Sequence, residues 1–340
     1  MAKWTLPDIS GSQDGTPNLD GPPSGEMDMA RAFGTHLETR LLPLLRDVEK
    51  GRLRALSAQK GRLWGAAILL ALCVIGAGAG LSRIASDNDD TNRIVLWTSA
   101  VMIAPILMWV RGSKSKYKSL RRQRLAPEIL KLLGKVGYEA EGKLDEQVII
   151  ASHMVGHYSS YSGRDRVSGQ RKGHEFGFGH AEFRYREGEK VTTMFSGYMV
   201  LISVRQPLDG LTMMVTGPGG KSNRLAEMKE LFPELADVPF YNAAIEGTFN
   251  VRSTEEREAR RLITPNFAKT VRGLATLLDA KSIAVALRDD HVVIRLETDV
   301  QLLAEEGLDK SAMVTDDIPK FLAATNGVLA ILDTIADAER

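Results

Sequence analysis

LWGAAILLALCVIGAGAGLS (Leu63–Ser82) and IVLWTSAVMIAPILMWV (Ile94–Val110) decide how this chain is read. No charged residue stands between Arg62 and Arg83, nor between Arg93 and Arg111. As a helix the first stretch extends about 30 Å, the thickness of a bilayer's hydrocarbon core, and the second about 26 Å. A core helix of a soluble domain ordinarily keeps a polar face, and neither stretch has one. Peptide groups in lipid find no water, so both spans are expected as helices. Trp64 opens the first span, Trp97 lies near the start of the second and Trp109 closes it, at the headgroup level that indoles favour. Gly76 and Gly80 form a small-xxx-small pattern on which the second span can pack closely.

Lys and Arg crowd the outer flanks: Arg46, Lys50, Arg52, Arg54, Lys60 and Arg62 before the first span, and Arg111, Lys114, Lys116, Lys118, Arg121, Arg122 and Arg124 after the second. The joining loop carries Asp87, Asp89 and Asp90. The positive-inside rule then puts both termini in the cytoplasm and the loop outside. Basic flanks also draw anionic headgroups, so the bilayer is the first expected partner and nucleic acid is not one. Formal net charge is +1, and the single cysteine, Cys73, lies inside the first span, which excludes an intramolecular disulfide and every cysteine-based zinc motif.

Working outward, residues 1–25 have the Gly/Pro/Ser/Asp composition of a disordered tail. Residues 26–61 read as a cytoplasmic helical region, with Phe33, Leu37, Leu41, Leu44 and Val48 on one face and Pro43 as an interruption. The hairpin takes 62–111, and 112–340 forms a cytoplasmic domain. In that domain helices are expected over Tyr117–Val136 and Leu144–Met154, followed by a polar Ser/Gly/Arg segment from Ser159 to Lys172. Strands are expected over His174–Arg186, Val191–Arg205 and Leu211–Val215, turning at Glu187-Gly188, with another at Thr248–Val251. Thr264-Pro265 opens a helix to Leu278. Ser282–Leu287 and His291–Glu297 form a hairpin around Arg288-Asp289-Asp290, and Ile318–Ala336 is a closing helix. The fold class is α+β: an amino-terminal helical region, a two-helix transmembrane hairpin, and an antiparallel sheet with segregated helices.

Chemistry is thinly signalled. His153-x-x-x-His157 would put two imidazoles on one helix face, and with His174, His180 and Glu182 they are the candidate metal ligands; Met154 stands where a hydrolytic zinc motif needs glutamate. Gly217-Pro-Gly-Gly-Lys221-Ser222 misses phosphate-loop spacing because Val215 occupies the leading glycine position, so a tight turn is the reading. Glu255, Glu256 and Glu258 alternate with Arg257, Arg260 and Arg261 as on a solvated helix face. No catalytic residue, cofactor site or acid/base dyad can be named.

Leu41-Leu42-Pro43, the two spans, Tyr161-Ser-Gly163-Arg-Asp165-Arg-Val167-Ser-Gly169, Phe195-Ser-Gly197-Tyr-Met-Val and Leu262-Ile-Thr264-Pro265 occur in this order from Phe33 to Ile335. In that order the chain resembles an uncharacterised bacterial two-span membrane-protein family whose members often occur beside LemA-type membrane proteins. The resemblance implies an inner-membrane protein with a cytoplasmic domain and no established activity. Where the family more usually has an acidic pair, this chain has Arg164 beside Asp165. The expected function is that of a membrane-anchored binding protein whose partner is another membrane or cytoplasmic protein, a LemA-type protein among them, with oligomerisation open. A membrane-tethered metal-dependent hydrolase and a lipid- or small-ligand-binding protein are the alternatives. Neither span holds an ionisable residue, which argues against a transport pathway.

Overall fold

The computed structural model describes residues 41–83, 122–216, 230–303 and 317–340. The amino-terminal tail, the second apolar stretch with Trp97 and Trp109, the loop before it and the Gly217-Pro-Gly-Gly turn lie outside the described residues.

Helix α1 (Leu42–Arg83) runs unbroken through the whole first apolar stretch, Gly76 and Gly80 included. Pro43 falls in its first turn, where a missing N–H leaves no intrahelical bond unmade, so the helix is uninterrupted downstream of the proline. Its start is buried at Leu41, Leu45 and Val48. Further along, Trp64 and Ile68, one turn apart, are 72% and 57% exposed.

Helix α2, described over 122–130, ends in a single 3₁₀ turn, Lys131–Leu133, and Gly134 reverses the chain at a φ of 98° into strand β1 (Val136–Glu139). The helix expected to reach Val136 therefore stops short, because that residue is drawn into sheet pairing with Gly169. Helix α3 (Glu146–Ala151) is only six residues long; Asp145 caps its start and it ends before His153, whose φ is 55°. The longer helix expected over Leu144–Met154 does not form, and His153 and His157 share no helix face.

Strand β2 (Ser160–Arg171) occupies the polar Ser/Gly/Arg segment, for which no strand is expected from the sequence. Its glycines admit close neighbours: a Cβ at Gly163 would stand 2.9 Å from the Lys143 Cα. β3 (His174–Glu187) and β4 (Lys190–Thr216) form the expected hairpin beyond it. β5 (Ala236–Asp237) and β6 (Phe249–Ser253) follow, then α4 (Glu256–Leu262) and α5 (Pro265–Leu277). Thr264 caps α5 by accepting from the Phe267 N–H, with Pro265 at the first helical position. β7 (Ser282–Glu297) and α6 (Asp317–Ala338) complete the chain.

β7 is folded back on itself. The Lys281 N–H donates to the Glu297 carbonyl at 2.7 Å and Ser282 Oγ lies 2.9 Å from Glu297 Oε2, so its two ends are side by side. The fold is at Asp289, whose φ of 52° is left-handed, which bears out the hairpin expected around residues 288–290. β4 opens to receive it. Residues 197–203 of β4 pair with 297–291, and 212–215 pair with 287–284, while Leu208 in the connection lies opposite Asp289 at the hairpin tip. All pairings are antiparallel, and in space the order runs β1, β2, β3, first half of β4, the β7 hairpin, second half of β4, β6, β5.

Both faces of the central strands are covered. Tyr198, Val200, Ile202, Ile294 and Leu296 face the larger core with α5, α6, α2 and the start of α1. Met199, Leu201, Val293, Phe183 and Phe195 face a smaller one with Ile149 of α3, Met154 and Leu235. This explains the continuous apolar run Tyr198–Ile202, since a strand buried on both sides loses its alternation. Among the described residues whose side chains are placed, α6 alone has the length and apolarity to cross a membrane, but 61% of its apolar window is buried inside the protein. The architecture is α+β with an antiparallel sheet.

Candidate functional site

The buried polar groups concentrate where α2 meets the sheet. β2 loses register with β3 between Arg164 and Val167, and Asp165 takes a left-handed φ of 55° there. A bulge leaves one residue without a ladder partner and re-aims it. Asp165 accordingly bonds its N–H to the Ala140 carbonyl at 2.9 Å, and its side chain is buried. Oδ1 accepts from the Tyr138 hydroxyl at 2.5 Å, and Oδ2 stands 3.6 Å from Arg122 Nη1. Arg122, at the described start of α2, is itself buried. Burial raises the Asp165 pKa against the opposing pull of the Tyr138 bond and the Arg122 charge, and burial with the same carboxylate raises that of Tyr138.

Across β2, Arg164 Nη2 lies 3.4 Å from His180 Nε2. Burial first, and the Arg164 charge second, lower the His180 pKa to about 4. At neutral pH the ring is therefore neutral, and since a guanidinium only donates, Nε2 accepts and Nδ1 carries the proton. The His180 ring meets the face of Tyr198 edge-on at 5.4 Å, and the Tyr198 hydroxyl accepts from the Leu302 N–H at 2.8 Å. Burial pushes that phenol up to about 12. Chemically the junction is an ion pair backed by fixed hydrogen bonds; it clamps the described start of α2 to the sheet.

The five candidate metal ligands are dispersed. His153 packs edge-on against Phe232 at 4.9 Å, and His157 is exposed. His174, at the start of β3, is fully buried: Nδ1 donates to the Ser203 carbonyl at 2.9 Å and Nε2 stands 3.4 Å from Glu339. His180 lies six residues along the strand, about 20 Å away. Glu182, on the same face of β3 as His180, accepts from Arg184 Nε at 2.8 Å. Among the described residues no three His, Cys, Asp or Glu side chains could hold a metal ion together. The helical spacing that suggested a ligand pair fails because the chain leaves the helix at Ser152.

Sequence reasoning did not find the Arg122–Asp165–Tyr138 group. Arg122 reads as one more basic flank residue, and the available signal was a lone Asp between Arg164 and Arg166 in a Gly/Ser-rich segment. The Glu339 carboxylate also accepts from the Arg205 N–H at 3.2 Å, while Arg171 makes a bidentate pair with Asp333 at 3.0 and 2.9 Å, so α6 is tied down at its end as well.

Residues 193–336 match a family described as "Protein of unknown function (DUF3137)", under half of the chain, from within β4 to near the end of α6. No curated protein matches. Among solved structures, the crystal structure of the mycobacterial trehalose monomycolate transport factor A, TtfA, matches at 14% identity over 63% of this chain and 95% of that one, with a TM-score of 0.29. A likeness at that TM-score carries no argument about fold or function.

Proposed function

We propose that this protein is anchored in the bacterial inner membrane by a two-span hairpin and that its α+β domain, on the cytoplasmic side, binds another protein; a LemA-type membrane protein is the candidate that the sequence resemblance suggests. One observation carries the reading. Leu41 and Leu45, which precede the first apolar stretch, and Leu125, Ala126, Ile129 and Leu130, which follow the second, are buried in one hydrophobic core. Segments sharing a core lie on one side of a membrane, so the chain between them crosses an even number of times or not at all. Two uncharged stretches of spanning length between those segments make two crossings the consistent count. The 72% exposure of Trp64 on a helix continuous with the core fits an indole at the headgroup level.

A domain held by two helices from one core has a fixed orientation to the bilayer, which suits presenting a surface to a membrane partner. The test is photocrosslinking in native membranes from exposed positions of the domain, Tyr241 among them at 88% exposure. Recovery of the same protein from several positions, lost when residues 62–111 are replaced by a soluble linker, is expected. No reproducible partner from any position overturns the binding reading. The metal-dependent hydrolase has no assembled ligand set among the described residues and is not favoured.

A further inference from the structure

We infer that the tip of the β3–β4 ribbon is a second membrane contact, resting on the bilayer surface beside the anchor; this depends on the hairpin anchoring proposed above. The orientation follows from register. α2 begins with Arg122 against Asp165, and after Gly134 the chain enters β1 with Val136 opposite Gly169. The helix therefore advances along β2 in the direction of rising residue number, away from the apolar stretch that precedes it. The opposite end of β2, at Ser160, faces the membrane.

β3 and β4 overrun that end. Ser160 pairs with Arg184, and beyond that level, where the Arg186 N–H still donates to Ser159 Oγ, β3 and β4 continue paired with each other to Glu187 and Lys190. From His180, level with Arg164, to Glu187 is seven residues, about 23 Å of strand. Eleven residues separate Arg122 from Arg111 at the edge of the second apolar stretch, about 16 Å as a helix and at most about 38 Å extended. The ribbon is thus long enough to reach the headgroups.

Its surface suits that place. Residues 184–194 are exposed on both faces, with Tyr185 at 40%, Val191 at 49% and Met194 at 46%. Tyr185 and Val191 flank the tip rather than lining one docking face, with Met194 further back, level with Ser160: Val191 pairs across from Arg186 and Tyr185 from Thr192, so Tyr185 and Val191 point to opposite sides. An apolar group on each side of the ribbon, set among charged ones, fits a headgroup interface better than it fits a protein groove. Arg184, Arg186 and Lys190 stand against Glu187 and Glu189, leaving little net charge. Apolar burial with a tyrosine at headgroup depth is the main attraction, and anionic lipid a small addition.

The test uses the full chain in nanodiscs of phosphatidylcholine and phosphatidylglycerol that carry a headgroup nitroxide quencher. Single thiol dyes are placed at Cys73 of the natural chain, and at Val191→Cys or Asp209→Cys in a Cys73→Ser background; Asp209 is exposed in the connection at the opposite end of the sheet. Quenching at position 191 at least about twofold above that at position 209 is expected for a group held in the interface, reduced by adding Tyr185→Asp. Equal quenching at positions 191 and 209, with the Cys73 dye reporting lipid, overturns the contact and leaves the anchor standing. A Cys73 dye that reports water overturns the anchor, and the contact with it.

Discussion

Asp165 concentrates what single residues decide in this protein. Its carboxylate is buried between an arginine and a tyrosine, and removing one partner from such a group costs several times what an exposed pair contributes. Asp165→Ala should lower unfolding stability by about 3 kcal/mol, measured by urea titration of the full chain in detergent, and Tyr138→Phe by about 1 kcal/mol. A Glu182→Gln control, whose partner Arg184 is exposed, should change little. His180 supplies the pH dependence. Unfolded, it takes a proton near 6.5; folded, only near about 4. Between those values the unfolded chain binds the extra proton, so stability falls on acidification through this window, by up to about 3 kcal/mol. Asp165, with its pKa raised, works the other way: protonation of its carboxyl comes more easily in the folded state and partly offsets the loss at the acid end. His180→Gln should flatten the slope between pH 6.5 and 4; an unchanged slope would assign it to other groups.

Among the elements, α1 and β4 answer to different constraints. α1 holds Gly51, Gly61 and Gly65, and a Cβ at any of them meets nothing within 4 Å. Glycine inside a helix forfeits backbone entropy for no packing gain, so Gly51→Ala and Gly61→Ala should each stabilise the helix by about 1 kcal/mol, read as slower amide exchange along α1. Gly197 is the reverse case. Its missing side chain leaves room for β7: a Cβ there would stand 2.1 Å from the Leu296 carbonyl oxygen. Gly197→Ala should push the β7 hairpin off the first half of β4 and lower the thermal midpoint sharply. This gives a physical reason for the glycine in Phe195-Ser-Gly197-Tyr. The β7 hairpin and the α5 cap were legible in sequence because turn and cap chemistry is local. β2 was not, because Ser, Gly and Arg have low strand propensity and only pairing on both sides holds them extended.

At the scale of the molecule, the segment before the first apolar stretch belongs to the same core as the sheet. A fragment of residues 112–340 lacks Leu41 and Leu45 and should be less stable than the full chain and prone to associate; Leu45→Ala in the full chain should cost about 3 kcal/mol by the same urea titration. Topology is read directly by a reporter active only outside the cytoplasm. Inserted at Asp89 it should be active, and at either terminus silent; the opposite pattern would overturn the orientation drawn from the basic flanks.

The sequence by itself determined what depends on near neighbours along the chain: the uncharged stretches of spanning length, the basic flanks around them, the Thr264-Pro265 helix start, and the turns at Gly188 and Asp289. Tertiary structure alone decided what depends on distant partners. Forty-three residues separate Arg122 from Asp165, and β4 opens around a hairpin some eighty residues later. No local pattern encodes such meetings, since an arginine in a run of basic residues reads the same whether it stays in solvent or becomes the buried partner of an aspartate. The histidines show the converse: spacing placed two on one helix face, and the packing of a six-residue helix against the sheet took the chain elsewhere before the second could join it.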